Sequence, residues 1–258
     1  MKTDKDHPLE MKPEHPSRRE FLKSSTGIAS LFIAPGVMLY KTGEAKSVDA
    51  AASSTIRWGM LIDTNIMTEQ DVDTCVRACQ TEHGWKSTGN PDTDAQWIRK
   101  VDLKDKNTGY QLSLPMMCQH CEDPPCVDVC PTGASFKRAD GIVLVNKHTC
   151  IGCRYCMIAC PYKARSFVHE NLTDQLPNAP RGKGTVESCT LCVHRIDKDG
   201  ADAVPACAEA VNSASHKPVI FGDLNDPESE ISKKLKVLGG KQLRADLGLN
   251  PSVRYLGL

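Results

Sequence analysis

The sequence predicts a small α+β fold, with short strands and short helices joined by long loops and arranged around bound metal rather than one large apolar core. Three observations predict it. Thirteen of 258 residues are cysteine, and all lie between Cys75 and Cys207. Aromatic residues make up 5% of the chain, too few for a large aromatic core. The runs with strand character are short and alternate with stretches rich in Gly, Pro and Asn. A dense thiol run means disulfides, zinc or iron–sulfur ligation, and an odd count cannot pair wholly within the chain as disulfides.

The N-terminus reads as an export leader. Ser17-Arg18-Arg19-Glu20-Phe21-Leu22-Lys23 is a twin-arginine pattern, followed by a weakly apolar stretch and small residues around Val48–Ala52. Residues 1–52 are therefore expected to be a signal peptide of the twin-arginine route. That route carries folded proteins, so metal can be inserted in the cytoplasm and the chain delivered to the periplasmic side of the membrane. Disulfides are permitted there, so only the cysteine spacing can exclude them. The longest apolar region, Gly27 to Tyr40, is interrupted by Ser30, Pro35 and Gly36 and falls short of the ~20 residues that span a bilayer.

Lys+Arg and Asp+Glu both number 32, which argues against a general nucleic-acid binder. Residues 1–50 hold eight of the basic and seven of the acidic residues, leaving 24 against 25, or −1, in the remainder.

After the leader, Arg57–Ile62 reads as a strand and Glu82–Gly109 as a loop-rich insertion. Gly141–Val145 is a β-rich run between two cysteine clusters. Leu172–Gly184 reads as a connector and Lys217–Gly222 as a second strand. Residues 223–258 carry charge, no cysteine and little periodicity, and are expected to be a tail packing on the body or a partner.

The most specific string is Cys150-x2-Cys153-x2-Cys156-x3-Cys160-Pro161, the bacterial ferredoxin spacing, whose fourth cysteine ligates the other cluster of a pair. Three cysteines at two-residue gaps wrap one cluster, and the fourth begins a turn that points away from it. Pro161 fixes φ where the chain leaves. Cys118-x2-Cys121-x4-Cys126-x3-Cys130-Pro131 repeats the plan with a wider middle. Reciprocal ligation assigns Cys118, Cys121, Cys126 and Cys160 to one 4Fe–4S cluster. Cys150, Cys153, Cys156 and Cys130 go to another. Zinc needs tetrahedral sets, usually two well-separated CxxC pairs, and gives no reason for this crossed pattern twice over.

Cys189-x2-Cys192-x14-Cys207 supplies three more ligands, and Cys79 is the candidate fourth. A further cluster would need the positions of Glu69, Val72, Cys75 and Val211, and three of these four hold no thiol. The expected count is three 4Fe–4S clusters, with Cys75 left over as a buried small hydrophobe, a redox or intermolecular role being the alternative. Each oxidised cluster with four thiolates adds about −2, bringing the mature chain to about −7.

These strings resemble the four-motif, ferredoxin-like electron-transfer subunits of bacterial membrane oxidoreductases of the dimethyl-sulfoxide-reductase and polysulfide-reductase type. The likeness runs from about Trp58 to Leu258 and includes Phe221-Gly222-Asp223-Leu224-Asn225-Asp226-Pro227. The cluster missing here is the one that usually faces a molybdenum subunit. A three-cluster exported chain is most similar to the iron–sulfur subunit of the sulfite-reduction-associated (Dsr-type) membrane complex. The resemblance implies a quinone-interacting membrane subunit as partner and, in that complex, a multihaem cytochrome c. It also implies an order: the Cys150 cluster nearest the membrane subunit, the Cys118 cluster central, the Cys189 cluster at the far end. The expected architecture is two ferredoxin-like lobes. One is continuous over 112–171 with two clusters. The other is split, 55–111 with 172–222, and holds one cluster.

The expected function is one-electron relay, with membrane association through the partner, no substrate site on this chain and no catalytic residues. The relay would belong to a respiratory complex linked to sulfur metabolism, or alternatively to another periplasmic membrane-bound reductase or hydrogenase complex. Lys137, Arg138, Lys163 and Arg165 follow the Cys-Pro corners and are expected to form a solvated basic face; the alternative is that they raise the clusters' potentials or stabilise their negative charge. His120, His148 and His194 are expected beside the ligands or at the surface, because the cysteines already fill every ligand position. No CxxCH occurs, since Val193 follows Cys192, which argues against covalent haem. Arg181–Thr185 lacks the first glycine of a P-loop, and no GxGxxG is present, so no nucleotide is expected.

Two other classes compete: a catalytic iron–sulfur enzyme with an open iron site, and a zinc-stapled structural module. Metal analysis separates the three. A relay carries about twelve irons and about twelve labile sulfides per chain and turns nothing over alone. Turnover by the purified chain would indicate the enzyme, and stoichiometric zinc the structural module.

Overall fold

The computed structural model describes residues 52–258 apart from 91, 174 and 214. The predicted leader, but for Ala52, lies outside the described residues. Strand β1 (Trp58–Asp63) is a near-continuous apolar run, as expected of a strand covered on both faces. It is the centre of a three-stranded sheet. On one side it pairs antiparallel with β8 (Val219–Asp223), Met60 opposite Phe221. On the other it pairs parallel with β9 (Val253–Leu256), Met60 beside Val253. Gly59 is required there: a Cβ would lie 2.5 Å from the Leu224 side chain and 2.8 Å from the Ser252 carbonyl oxygen.

Helix α1 (Glu69–His83) is set by local chemistry at both ends. The Thr68 hydroxyl accepts the Asp71 N–H while the Asp71 carboxylate accepts the Thr68 N–H. Gly84, at φ 68°, closes the other end in the left-handed region. Val72, Cys75, Cys79 and His83 recur three or four residues apart and form its buried face. The stretch expected to be loop-rich contains β2 (Ile98–Lys104), paired with β3 (Gln111–Met117). Its outer end is polar and exposed, which hid the strand pattern. Two small antiparallel pairs follow: β4 (Ser135–Lys137) with β5 (Val143–Val145), and β6 (Ser166–Phe167) with β7 (Val186–Glu187). The cysteine loops carry one- or two-turn helices: α2 (Pro125–Asp128), α3 (Tyr155–Ala159), α4 (Val193–Asp199) and α5 (Ala206–Val211).

The segment expected as a tail is part of the body. Helix α6 (Glu230–Leu238) begins at Ser229, whose hydroxyl accepts the Ser232 N–H, and seats Ile231 against Gly222. Strand β9 then returns to the central sheet. Tyr255 is fully buried; its hydroxyl donates to the Pro115 carbonyl (3.1 Å) and accepts from Gln119 Nε2 (3.3 Å). Four residues are too few to show periodicity, so the strand is set by the open edge of β1. Among the described residues, no helix is long and apolar enough to cross a membrane.

Removing Tyr255 tests whether this return strand holds the body together. Tyr255→Ala is expected to cost about 3–5 kcal/mol through lost burial and a cavity, read as a lowered thermal unfolding midpoint. An unchanged midpoint would show that the C-terminal segment is an appendage.

Candidate metal centres

The cysteines gather in three groups. The first draws Cys79 from α1, Cys189 and Cys192 from the loop before α4, and Cys207 from α5; all four are buried. Burial pushes the Cys79 thiol well above its ordinary range, and the charges of Cys207 and Cys192 push it the same way. Cys192 and Cys207 are raised to about 12, first by burial. Donors meet the sulfurs. Trp85 Nε1–H donates to Cys79 Sγ (3.3 Å), Leu191 N–H to Cys189 Sγ (3.4 Å) and Ala206 N–H to Cys192 Sγ (3.4 Å). Leu191 and Cys192 both sit at φ 52°, which bends the loop around the pocket. His83 Nε2 lies 3.4 Å from Cys192 Sγ.

In the second group Cys118 follows β3, Cys126 lies in α2, and Cys160 ends α3. Burial pushes Cys121 up to about 12, and the charges of Cys126 and Cys160 add to it. Cys118 is raised by burial, with Arg165 opposing and Cys126 and Cys160 adding. Ala164 N–H donates to Cys160 Sγ (3.5 Å).

In the third group Cys130, Cys150, Cys153 and Cys156 line one cavity, together with Ser135, Val186 and Arg154. Ser135 N–H donates to Cys130 Sγ (3.3 Å) and Val186 N–H to Cys150 Sγ (3.5 Å). Gly152 makes the loop possible. It sits at φ 71°, and a Cβ there would lie 2.2 Å from the Gly184 carbonyl oxygen. Cys153 is the exposed member, and Ile151 (67%), Tyr155 (58%) and Ile158 (81%) stand exposed around it.

Cys75 is the thirteenth cysteine and stands beside the first group, where its charge acts on Cys207 and Cys79. It is buried on α1, its thiol donating to the Cys207 carbonyl at 3.7 Å. Val72, Ala208 and Val211 are buried with it, so the space between α1 and α5 is apolar.

The four basic residues do not form one solvated face. Lys163 is exposed; Lys137 is also exposed and pairs with Glu122 at 2.6 Å. Arg138 is half-buried between Asp140 and Asp197. Arg165 is only 6% exposed. Lys163, at φ 49°, donates its N–H to the Cys160 carbonyl and reverses the chain, so Arg165 turns inward. Of the histidines, His148 is exposed and His194 pairs with Glu82 at 2.6 Å. His120 is fully buried. Its Nδ1 accepts the Val143 N–H (3.0 Å), so Nε2 carries the hydrogen, and Nε2 has no partner among the described residues. Burial, then the charge of Arg165, holds its pKa down at about 3. His83, Trp85 and the inward turn of Arg165 have no signature in the spacing. Gly84, just before Trp85, is the one local sign that the chain folds back on Cys79.

This donor set fits 4Fe–4S clusters. Thiols are the ligands such clusters take, and burial raises the cost of their charge until metal binds. N–H groups already point at their sulfurs, as cluster-binding loops require.

Comparison with known proteins agrees. Residues 110–217 match the 4Fe–4S dicluster domain. The chain is 42% identical to the Hdr-like menaquinol oxidoreductase iron–sulfur subunit 1 of Archaeoglobus fulgidus, over 94% of this chain and 98% of that one. It is 34% identical to a component of the tetrathionate reductase of Salmonella typhimurium, over 94% and 88%. It is 33% identical to the menaquinone reductase iron–sulfur cluster-binding subunit of Nitratidesulfovibrio vulgaris, over 78% and 89%. With a relative of this identity matched along almost its whole length, and with a dicluster domain over its central cysteines, the chain belongs to the ferredoxin-like iron–sulfur electron-transfer subunits of membrane oxidoreductases.

Proposed function

We propose that this chain relays single electrons through three 4Fe–4S clusters between a quinone-interacting membrane subunit and a redox partner on the periplasmic side. The observation that carries the reading is the crossed gathering of the thiols, with Cys160 beside Cys118, Cys121 and Cys126 and Cys130 beside Cys150, Cys153 and Cys156. Cys79 completes the group of Cys189, Cys192 and Cys207. We assign each group one cluster. When bound, a 4Fe–4S cluster takes up and gives back one electron with its charge spread over iron and sulfur. The chain's own part is to hold it, exclude water and set its potential. Buried walls do the first two, and Trp85, Leu191, Ala206, Ser135 and Val186 supply N–H groups to the sulfurs.

Three clusters rather than four is supported by the apolar packing of Val72, Cys75, Ala208 and Val211, which fills the α1–α5 space where a fourth would need ligands. In our reading residues 112–171 form the two-cluster lobe, and 55–111 with 172–222 the one-cluster lobe. The exposed Ile151, Tyr155 and Ile158 around Cys153 support an apolar partner at that end, so we place the membrane subunit there. The names of the menaquinol, menaquinone and tetrathionate relatives support a quinone on one side and sulfur chemistry in the complex. A multihaem cytochrome c at the Cys189 end, and export by the twin-arginine leader, complete the proposal.

Two variants test it against a wild type that should carry about twelve irons per chain. Cys79→Ser should remove about four irons and one EPR signal; loss at the Cys118 or Cys150 cluster instead would overturn the pairing. Gly152→Ala should push the loop off Gly184 and empty the Cys150 cluster alone. Full iron content in that variant would mean that Cys150, Cys153 and Cys156 are not ligands.

A further inference from the structure

Arg165 is the one basic side chain among those following the Cys-Pro corners that the fold buries almost completely. Its surroundings are unusual for a buried cation. Nη2 donates to Cys126 Sγ at 3.1 Å, while Nε and Nη1 are buried with no partner among the described residues. Among the described residues, no carboxylate pairs with it, although Arg138 and Arg181 nearby in sequence both find acidic partners. The negative groups that act on it are thiolates, and they belong to two different groups: Cys126 and Cys118 on one side, Cys156 on the other. Arg195, not Arg165, is the arginine that acts on Cys192 and Cys207.

We propose that Arg165 is a fixed positive charge set between two clusters, raising the reduction potentials of the Cys118 and Cys150 clusters together and leaving the Cys189 cluster alone. This rests on the three-cluster reading above. A guanidinium stays charged at every working pH. Taking up an electron makes a cluster more negative, and a nearby buried cation favours that form. The unpartnered Nε and Nη1 hydrogens have the chemistry to reach cluster sulfur. The electron arrives from one cluster and leaves to the next, so Arg165 is neither oxidised nor deprotonated. Its role is positioning and tuning, and it raises both potentials together.

The test is an EPR-monitored redox titration of the purified holoprotein or complex, with Cys79→Ser marking the signal of the Cys189 cluster. Arg165→Gln should retain about twelve irons and shift two signals to lower potential by about tenfold in the reduction equilibrium, about 59 mV for one electron. The third signal should not move. Arg165→Lys should stay close to wild type, because it keeps the charge while losing the forked geometry. If Arg165→Gln sheds iron, Arg165→Lys decides: retained clusters at near-native potentials uphold the proposal, and iron loss there too makes Arg165 a structural brace only. Unmoved potentials in an iron-replete Arg165→Gln protein, or a shift in all three signals alike, would overturn it. A wild type with markedly fewer irons would instead sink the three-cluster reading, which the potentials do not address.

Discussion

The proposed clusters ask for twelve thiols held in three groups, and the fold buries eight of them. Burial raises the cost of charging Cys79, Cys118, Cys121, Cys126, Cys156, Cys189, Cys192 and Cys207, and neighbouring sulfurs raise it further. The rest of the fold answers that constraint. Donors are turned toward the sulfurs, and the loops that carry them bend through residues at positive φ, such as Gly152, Leu191 and Cys192. The core is not a separate apolar body to which sites were added, because the buried residues and the buried cysteines form one continuous cluster.

On the three-cluster reading, the α1–α5 interface is where a fourth site would need its ligands. Val72, Cys75 and Val211 stand at positions where ligands would be needed, and they pack with Ala208 as an ordinary core. Cys79 and Cys207, on the same two helices, still face the first group. On the same reading, one interface serves as packing along part of its length and as a metal site along the rest. Asp71 caps α1 and also meets His216 (3.1 Å), which ties the start of that helix to the segment leading into β8.

Electrostatics differ from one group to the next. The Cys189 group has Arg195, Glu82 and His194 at its edge, where Glu82 is held down at about 2 mainly by hydrogen bonds from Arg195. The other two groups share Arg165, a charge with no acidic partner among the described residues. The same residue type is therefore neutralised in one place and left uncompensated in another, and the second arrangement suits a site that gains negative charge when metal and electrons arrive.

The cysteine spacing alone made the two four-cysteine strings legible as ferredoxin motifs, and the crossed ligation proposed above is read from it. It also made β1, β5 and β8 legible, since each is an uninterrupted β-branched or apolar run. Three features were decided only in three dimensions. Strand β9 is four residues long and exists because β1 offers an open edge. Helix α1 hid its apolar face among ligand-like positions, although Thr68, Asp71 and Gly84 mark its ends. Arg165 and Lys163 read alike in sequence, and only the turn at Cys160 sends one to solvent and the other between the sulfurs. Spacing records how far the chain can reach, whereas the direction a side chain takes depends on what packs against it.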